Sequence, residues 1–179
     1  MGLMNKILLH LKTILKHKYY VLKFMTKAGY FWQGLIHDLS KFHPIEFLES
    51  IKYVTGTNSP INNCKQDKGY SLAWQHHKGC NPHHYEYWVD KLDDGGAPIK
   101  MPFKYMIELV CDYLAAGHTY SNFSYKDEYA WICNFINKKP KIHPITLRYI
   151  HNIFQIMSVT NSFLTKQQIK EIKQEYEQN

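Results

Sequence analysis

Apolar residues recur three, four and seven positions apart at the start of the chain: Ile7, Leu8, Leu11, Ile14, Leu15, Val21, Leu22 and Met25. That spacing predicts one long amphipathic helix, ended by Ala28-Gly29, with His10, Ile14, His17 and Val21 on a common stripe. Tyr30 to Ser40 reads as a second helix that carries His37 and Asp38 near its end. A third starts at Pro44, a residue suited to the first helical turn, and runs to about Val54. The polar stretch from Thr55 to Gly69 reads as loop. Ser71 to His77 is a short helix broken at Gly79. Asn81-Pro82 then opens another, with His83, His84 and Glu86 in its first turns and Asp93-Asp94-Gly95-Gly96 at its end. Met101-Pro102 starts a helix to about Ala116, on which Glu108 and Asp112 lie four apart and share a face. Further helices are predicted over 125–137, 144–160 and 165–177, the last opened by a capping box of Thr165 and Gln168. No segment alternates with period two for long enough to form a sheet, and no internal repeat is present. The pattern predicts one all-α domain over residues 1–179.

Composition narrows the class. The chain has 179 residues, 45% apolar and 15% aromatic, which suits one packed domain and excludes intrinsic disorder. No run approaches the ~20 apolar residues of a membrane-spanning helix. The N-terminus mixes lysines and histidines among its leucines, unlike a secretory signal, so a cytoplasmic protein is expected. Basic residues outnumber acids by 22 to 15, but Arg148 is the only arginine, so bidentate guanidinium recognition of phosphates or bases is almost lacking. Residues 1–36 hold six lysines and no acid, a basic face that either meets an anionic partner or simply faces solvent. Cys64, Cys80, Cys111 and Cys133 form no CxxC pair and read as reduced thiols.

Candidate chemistry lies in the histidines. Of eleven, His76, His77, His83 and His84 fall within nine residues, and such a cluster is where metal ligation is sought first. The strongest local signal is His37-Asp38-Leu39-Ser40-Lys41. Adjacent side chains leave a regular helix about 100° apart, but near a helix end an imidazole and a carboxylate can grip one ion from two sides. An aspartate can also bridge two ions through its two oxygens. A lone His-Asp pair is common by chance; here it stands in an ordered set with His17 upstream, the histidine pairs downstream and Asp112 on a later apolar helix. His118, His143 and His151 fall outside that set.

This order of residues resembles the HD-domain superfamily of metal-dependent phosphohydrolases, which are all-helical. Asp38 and Lys41 resemble the extended HDxxK form of its motif, and Val110-Cys111-Asp112-Tyr113-Leu114-Ala115-Ala116 is similar to its final metal-binding helix. The blocks HDLSKF (37–42) with Glu46-Phe47, AWQHHKGCNPHHYEYW (73–88) and MP…ELVCDYLAA (101–116) look like a branch found in phages and bacteria. The likeness covers about residues 8 to 120; residues 125–179 carry none and read as a helical extension. The resemblance implies that His17, His37, Asp38 and Asp112 hold one metal. It offers His77 and His84 for a second that shares Asp38, with His76 and His83 as alternatives, and leaves one ion or two open.

An imidazole and carboxylate shell suits Mn, Fe, Co, Ni or Zn better than Ca or Mg. The implied activity is hydrolysis of a phosphomonoester or phosphodiester in a small nucleotide-like substrate by metal-activated hydroxide. Asp38 is then the central catalytic ligand, and Lys41 a point charge against a phosphate oxygen. Glu86 reads equally as a partner orienting an imidazole and as a solvent-facing charge. Trp74, Tyr85, Tyr87 and Trp88 serve either packing or base stacking. The competing reading is a non-enzymatic, metal-stabilised helical protein whose Lys-rich N-terminal helix contacts nucleic acid or an acidic partner. An N-terminal helix lying on anionic membrane is a third.

Overall fold

The computed structural model describes residues 2–90, 95–138 and 140–179. Its longest element is α1 (Leu3–Lys27), whose buried residues His10, Ile14, His17, Val21, Phe24 and Met25 trace the stripe that the spacing predicts. There follow α2 (Phe31–Ile36), a 3₁₀ turn (Leu39–Phe42), α3 (Pro44–Tyr53), α4 (Pro60–Lys68), α5 (Leu72–Cys80) and a second 3₁₀ turn (Tyr85–Trp88). The chain closes with α6 (Phe103–Tyr120), α7 (Tyr125–Asn137), α8 (Pro144–Thr160) and α9 (Lys166–Gln178). Among the described residues there is no strand, only an isolated bridge between Val89 and Pro98, and the fold is all-α. None of the described helices is long and apolar enough to cross a membrane.

The core is built around α6. Met106, Ile107, Leu109, Val110, Cys111, Leu114 and Ala115 are fully buried, so apolar positions run around the whole helix. Val21, Phe24 and Met25 of α1 pack into the same core, as do Ile150, Ile153, Phe154 and Met157 of α8 and Ile169 and Tyr176 of α9. Each such side chain contributes about 1.5–3 kcal/mol by leaving water. The C-terminal helices therefore complete the core on which the first half rests. In so apolar a helix Glu108 and Asp112 stand out, because burying a carboxylate is costly unless it is paired or holds a cation.

The structure departs from the sequence reading in five places. The second helix stops at Ile36 rather than Ser40: His37 is extended (φ −49°, ψ 131°) and Asp38 takes a left-handed conformation (φ 56°, ψ 29°). Asp pays less for that conformation than most residues do. Residues 60–68, read as loop, form α4. Ser59, Pro60 in the first turn and a left-handed Gly69 (φ 79°) are start and stop signals that outweigh the polar composition between them. Helix α5 runs through Gly79 to Cys80, and α6 extends past Ala116 to Tyr120. The helix expected after Asn81-Pro82 is a bend and a 3₁₀ turn. The indole of Trp88 takes the Pro82 carbonyl at 2.6 Å, which a regular helix would reserve for a backbone N–H four residues on. Asp93 and Asp94, the expected end of that helix, lie outside the described residues. The helices at 125–137, 144–160 and 166–178 fall where the periodicity puts them, and the capping box of Thr165 and Gln168 is formed.

Helices α1 and α2 approach closely because residue 34 is glycine. A Cβ there would stand 2.6 Å from the Met25 Cβ and 3.3 Å from the Leu22 Cα. Gly34→Ala is therefore expected to cost on the order of 1–3 kcal/mol by overpacking. Urea denaturation measures it, and an unchanged midpoint would show that the two helices separate freely.

Candidate metal centre

Asp38 sits where three chain segments meet. Its left-handed backbone turns the carboxylate inward, and the residue is 1% exposed. The Oδ2 atom faces His17 Nε2 at 3.8 Å and His37 Nε2 at 3.2 Å. Asp112 Oδ1, delivered by α6, stands 2.9 Å from His17 Nε2 and 3.5 Å from His37 Nε2. The other oxygen, Oδ1, faces His77 Nε2 at 3.3 Å and His83 Nε2 at 3.4 Å. Two groups of potential ligands share Asp38, with His17, His37 and Asp112 in one and His77, His83 and His84 in the other, and a third of His37, His83 and Glu108 adjoins them. Within each, the donor atoms lie no more than 4.8 Å apart.

These atoms do not satisfy one another. The Nε2 atoms of His17, His37, His83 and His84 and both oxygens of Asp38 are buried and make no hydrogen bond. His17 Nε2 and Asp112 Oδ1 are close enough for one but are not aligned for it. Leaving a single buried polar atom unpaired costs about 1–3 kcal/mol. Asp38 Oδ2 has the Lys41 ammonium beside it, but the other five atoms, gathered around one carboxylate, fit a cation between them, and a set of imidazoles and carboxylates without thiolate suits a divalent transition ion. Lys41 Nζ forms an ion pair with Asp38 Oδ2 at 2.6 Å.

Two further carboxylates orient the imidazoles. Glu108 accepts a hydrogen bond from His37 Nδ1 at 2.8 Å, lies 3.4 Å from His83 Nδ1, and receives the Gln33 amide on its other oxygen. Glu46 accepts from His77 Nδ1 at 2.8 Å and from His76 Nδ1 at 2.6 Å. Burial alone would raise both carboxyls, but the histidines around them prevail: Glu108 is held down to about 2 and Glu46 below its ordinary value. An ionised carboxylate can only accept, so the Nδ1 of His37 and of His77 carries a proton and it is Nε2 that is turned toward a metal, which in His37 must first displace a proton. Glu108→Gln is expected to weaken metal binding by roughly 10–100-fold. Calorimetric titration with Mn²⁺ measures this; an unaltered affinity would exclude Glu108 from the centre.

The electrostatics divide the ligands. Burial and the Lys41 charge push His17 down to about 4 against the pull of Asp112. Burial, with His83 and His77 beside it, holds His84 well below its ordinary value. Burial works the same way on His37 but is outweighed by Asp38, Asp112 and Glu108, which raise it well above the usual range. The carboxyls of Asp38 and Asp112, raised by burial, are brought well below theirs by the facing histidines and, for Asp38, by Lys41.

All six residues singled out for metal by the sequence lie in these two groups. His83, placed behind His77 and His84 in the sequence reading, joins them. On a regular helix His83 and His84 would point about 100° apart, whereas the bend that replaces it turns both toward Asp38. His76 lies outside: its ring stacks on His43 at 4.3 Å and its Nδ1 is taken by Glu46. Glu86 contacts none of the clustered histidines; its Oε2 is buried without a partner. The spacing does not single out His10, although it precedes His17 by two turns on the same stripe. His10 is 5% exposed, neither ring nitrogen has a partner, and burial and Lys41 push it down to about 4.

A cavity of about 160 Å³ is lined by His10, His17, Asp38, Lys41 and Asp112. It shares Trp74, His84, Asp112 and Tyr120 with a larger cavity of about 630 Å³. Of the aromatics in question, Trp74 and Tyr85 line the larger one, Tyr87 is exposed, and Trp88 packs on the core.

Fold and cluster together define an all-α protein with a buried His, Asp and Glu centre compatible with metal binding. Residues 6–156 match the model of a family of unknown function, DUF5662, and the chain belongs to that family. Comparison with curated proteins and with solved structures gives no match.

Proposed function

We propose that this protein is a metal-dependent phosphohydrolase of the HD type, cleaving a phosphomonoester or phosphodiester of a nucleotide-like small molecule. The observation that carries this reading is Asp38, a buried carboxylate with each oxygen facing its own set of imidazoles and a lysine at its side. His17, His37, Asp38 and Asp112 would hold one ion and Asp38, His77, His83 and His84 a second. Bound there, a divalent ion lowers the pKa of a water toward neutrality and offsets charge on phosphoryl oxygens.

The chain's own residues supply the rest. Burial disfavours the Lys41 ammonium, but Asp38 and Asp112 outweigh it and raise its pKa, so it is a fixed cation on the wall of the smaller cavity. There it serves as a point charge for a phosphoryl oxygen. His10, neutral near pH 7, can donate one N–H to a second oxygen. The competing reading, a basic N-terminal helix that binds nucleic acid, has less support. Lys6, Lys16 and Lys18 each donate to backbone carbonyls of other segments, which draws three of the six lysines onto the protein itself.

Elemental analysis of purified protein, followed by a screen of mono- and cyclic nucleotides with added Mn²⁺ or Fe²⁺, tests the proposal. Lys41→Ala is expected to keep its metal and lose roughly 10²–10³ in turnover, the range for removing one charge-stabilising donor. Absence of bound transition metal together with absence of phosphoester turnover would overturn it.

A further inference from the structure

The larger cavity is walled by aromatic rings that the core does not need. Trp131 of α7 is 46% exposed, stacks on Phe135 at 5.5 Å and meets Tyr113 edge-on at 5.0 Å. Trp74 contributes from α5, edge-on to His84 at 4.9 Å. Open aromatic faces in a cavity suit a flat ring, since stacking is tolerant of the ring's identity.

Charge defines that ring further. Glu86, Asp127 and Glu128 line the cavity, while the only lining cation among the described residues is Lys65, whose Nζ is held 4.2 Å over Trp74. The Oε2 atom of Glu86 is inaccessible to water and has no hydrogen-bond partner. The Glu128 carboxylate occupies the space that a side chain at Gly117 would fill, and burial and the neighbouring Asp127 push it up to about 7. Asp127 accepts from the Ser124 hydroxyl, which leaves Glu86 Oε2 and the Glu128 carboxyl as the groups open to a ligand. A chain of phosphates entering here would set its charge against Glu86, Asp112 and Asp127.

We propose that this cavity binds the non-phosphate part of the substrate, and that this part is a flat ring bearing an exocyclic amine, linked to a single phosphate. The ring stacks among Trp74, Trp131 and Phe135, its amine donates to Glu86 or Glu128, and the phosphate reaches the smaller cavity beside Lys41. Only the phosphate half rests on the phosphohydrolase reading; the ring half is tested without metal.

Calorimetry on the full chain in EDTA compares adenosine with purine riboside, which lacks the amine. Adenosine is expected to bind roughly tenfold or more tightly, as for a hydrogen bond to a charged acceptor. The preference should vanish in Glu86→Met/Glu128→Met, which removes both acceptors, and both ligands should weaken about tenfold or more in Trp131→Ala, a half-exposed position whose loss leaves the core intact. With Mn²⁺ added, adenosine monophosphate is expected to be hydrolysed at least about tenfold faster than the triphosphate. Equal binding of the two nucleosides, or faster turnover of the triphosphate, would overturn the proposal. An amine preference without hydrolysis of any phosphoester would uphold the ring site and remove the phosphohydrolase reading.

Discussion

Asp38→Asn is expected to empty the whole metal centre, whereas His17→Ala or His84→Ala should disturb only one side of it. The difference follows from position: Asp38 is the one residue common to both four-membered groups, with a separate oxygen toward each. Asn has nearly the same shape and tolerates the left-handed backbone at this site as Asp does, so the substitution removes charge and a ligand oxygen without forcing the chain to refold. The metal-free protein should also lose stability. The Asp38 carboxyl is held well below its ordinary value in the folded state, so it contributes stability that is present above pH ~4 and lost as pH falls. Its removal at neutral pH strands Lys41, whose Nζ lies 2.6 Å away. Elemental analysis and thermal melts in EDTA report the two effects separately. Retention of full metal content by Asp38→Asn would refute the bridging role.

The second large effect is a stabilisation by metal that grows with pH. His37 is raised above its unfolded value, so in metal-free protein its ion pairs contribute stability that is complete below pH ~6.5 and is lost as pH rises through the folded pKa. His17 and His84 are lowered and already neutral at pH 7, ready to ligate. Metal must displace the His37 proton, so affinity rises with pH and binding releases protons. Stabilisation by the ion grows with affinity, reaching about 2.7 kcal/mol when free metal is a hundred times Kd. His17 and His84, which gain a proton on unfolding at pH 6, act oppositely on the metal-free protein, so the quantity to read is the gain in melting temperature on adding Mn²⁺ over that in EDTA, which should increase between pH 6 and 8. A gain that shrinks over that interval would contradict the assignment of His37 as a ligand.

Helix positions were largely legible because they rest on local rules. Spacing of three and four, prolines in first turns, the Thr165–Gln168 box and glycine stops act within about a turn, and α1, α3, α7, α8 and α9 lie close to where these place them. Where local signals competed, composition misled: α4 is polar along most of its length, yet Ser59-Pro60 and Gly69 bound a helix. The ordered set of His17, His37, Asp38, His77, His84 and Asp112 was also legible, since residue type and chain order suffice to list potential ligands.

Convergence was not. Glu108 meets His37 across 71 residues and Glu46 meets His77 across 31, and no spacing rule extends that far. His83, only an alternative in the sequence, faces Asp38 because Pro82, held by Trp88, bends the chain instead of starting a helix. Trp131, Phe135 and Glu128, in a segment without any recognised motif, reach the cavity because α7 packs beside α6 and α8. The amino-acid sequence by itself thus determined an all-α chain with a stock of metal-binding side chains. Tertiary packing decided which of them face Asp38, which carboxylates orient them and what cavity adjoins them, because donor atoms a few ångströms apart come from helices distant along the chain.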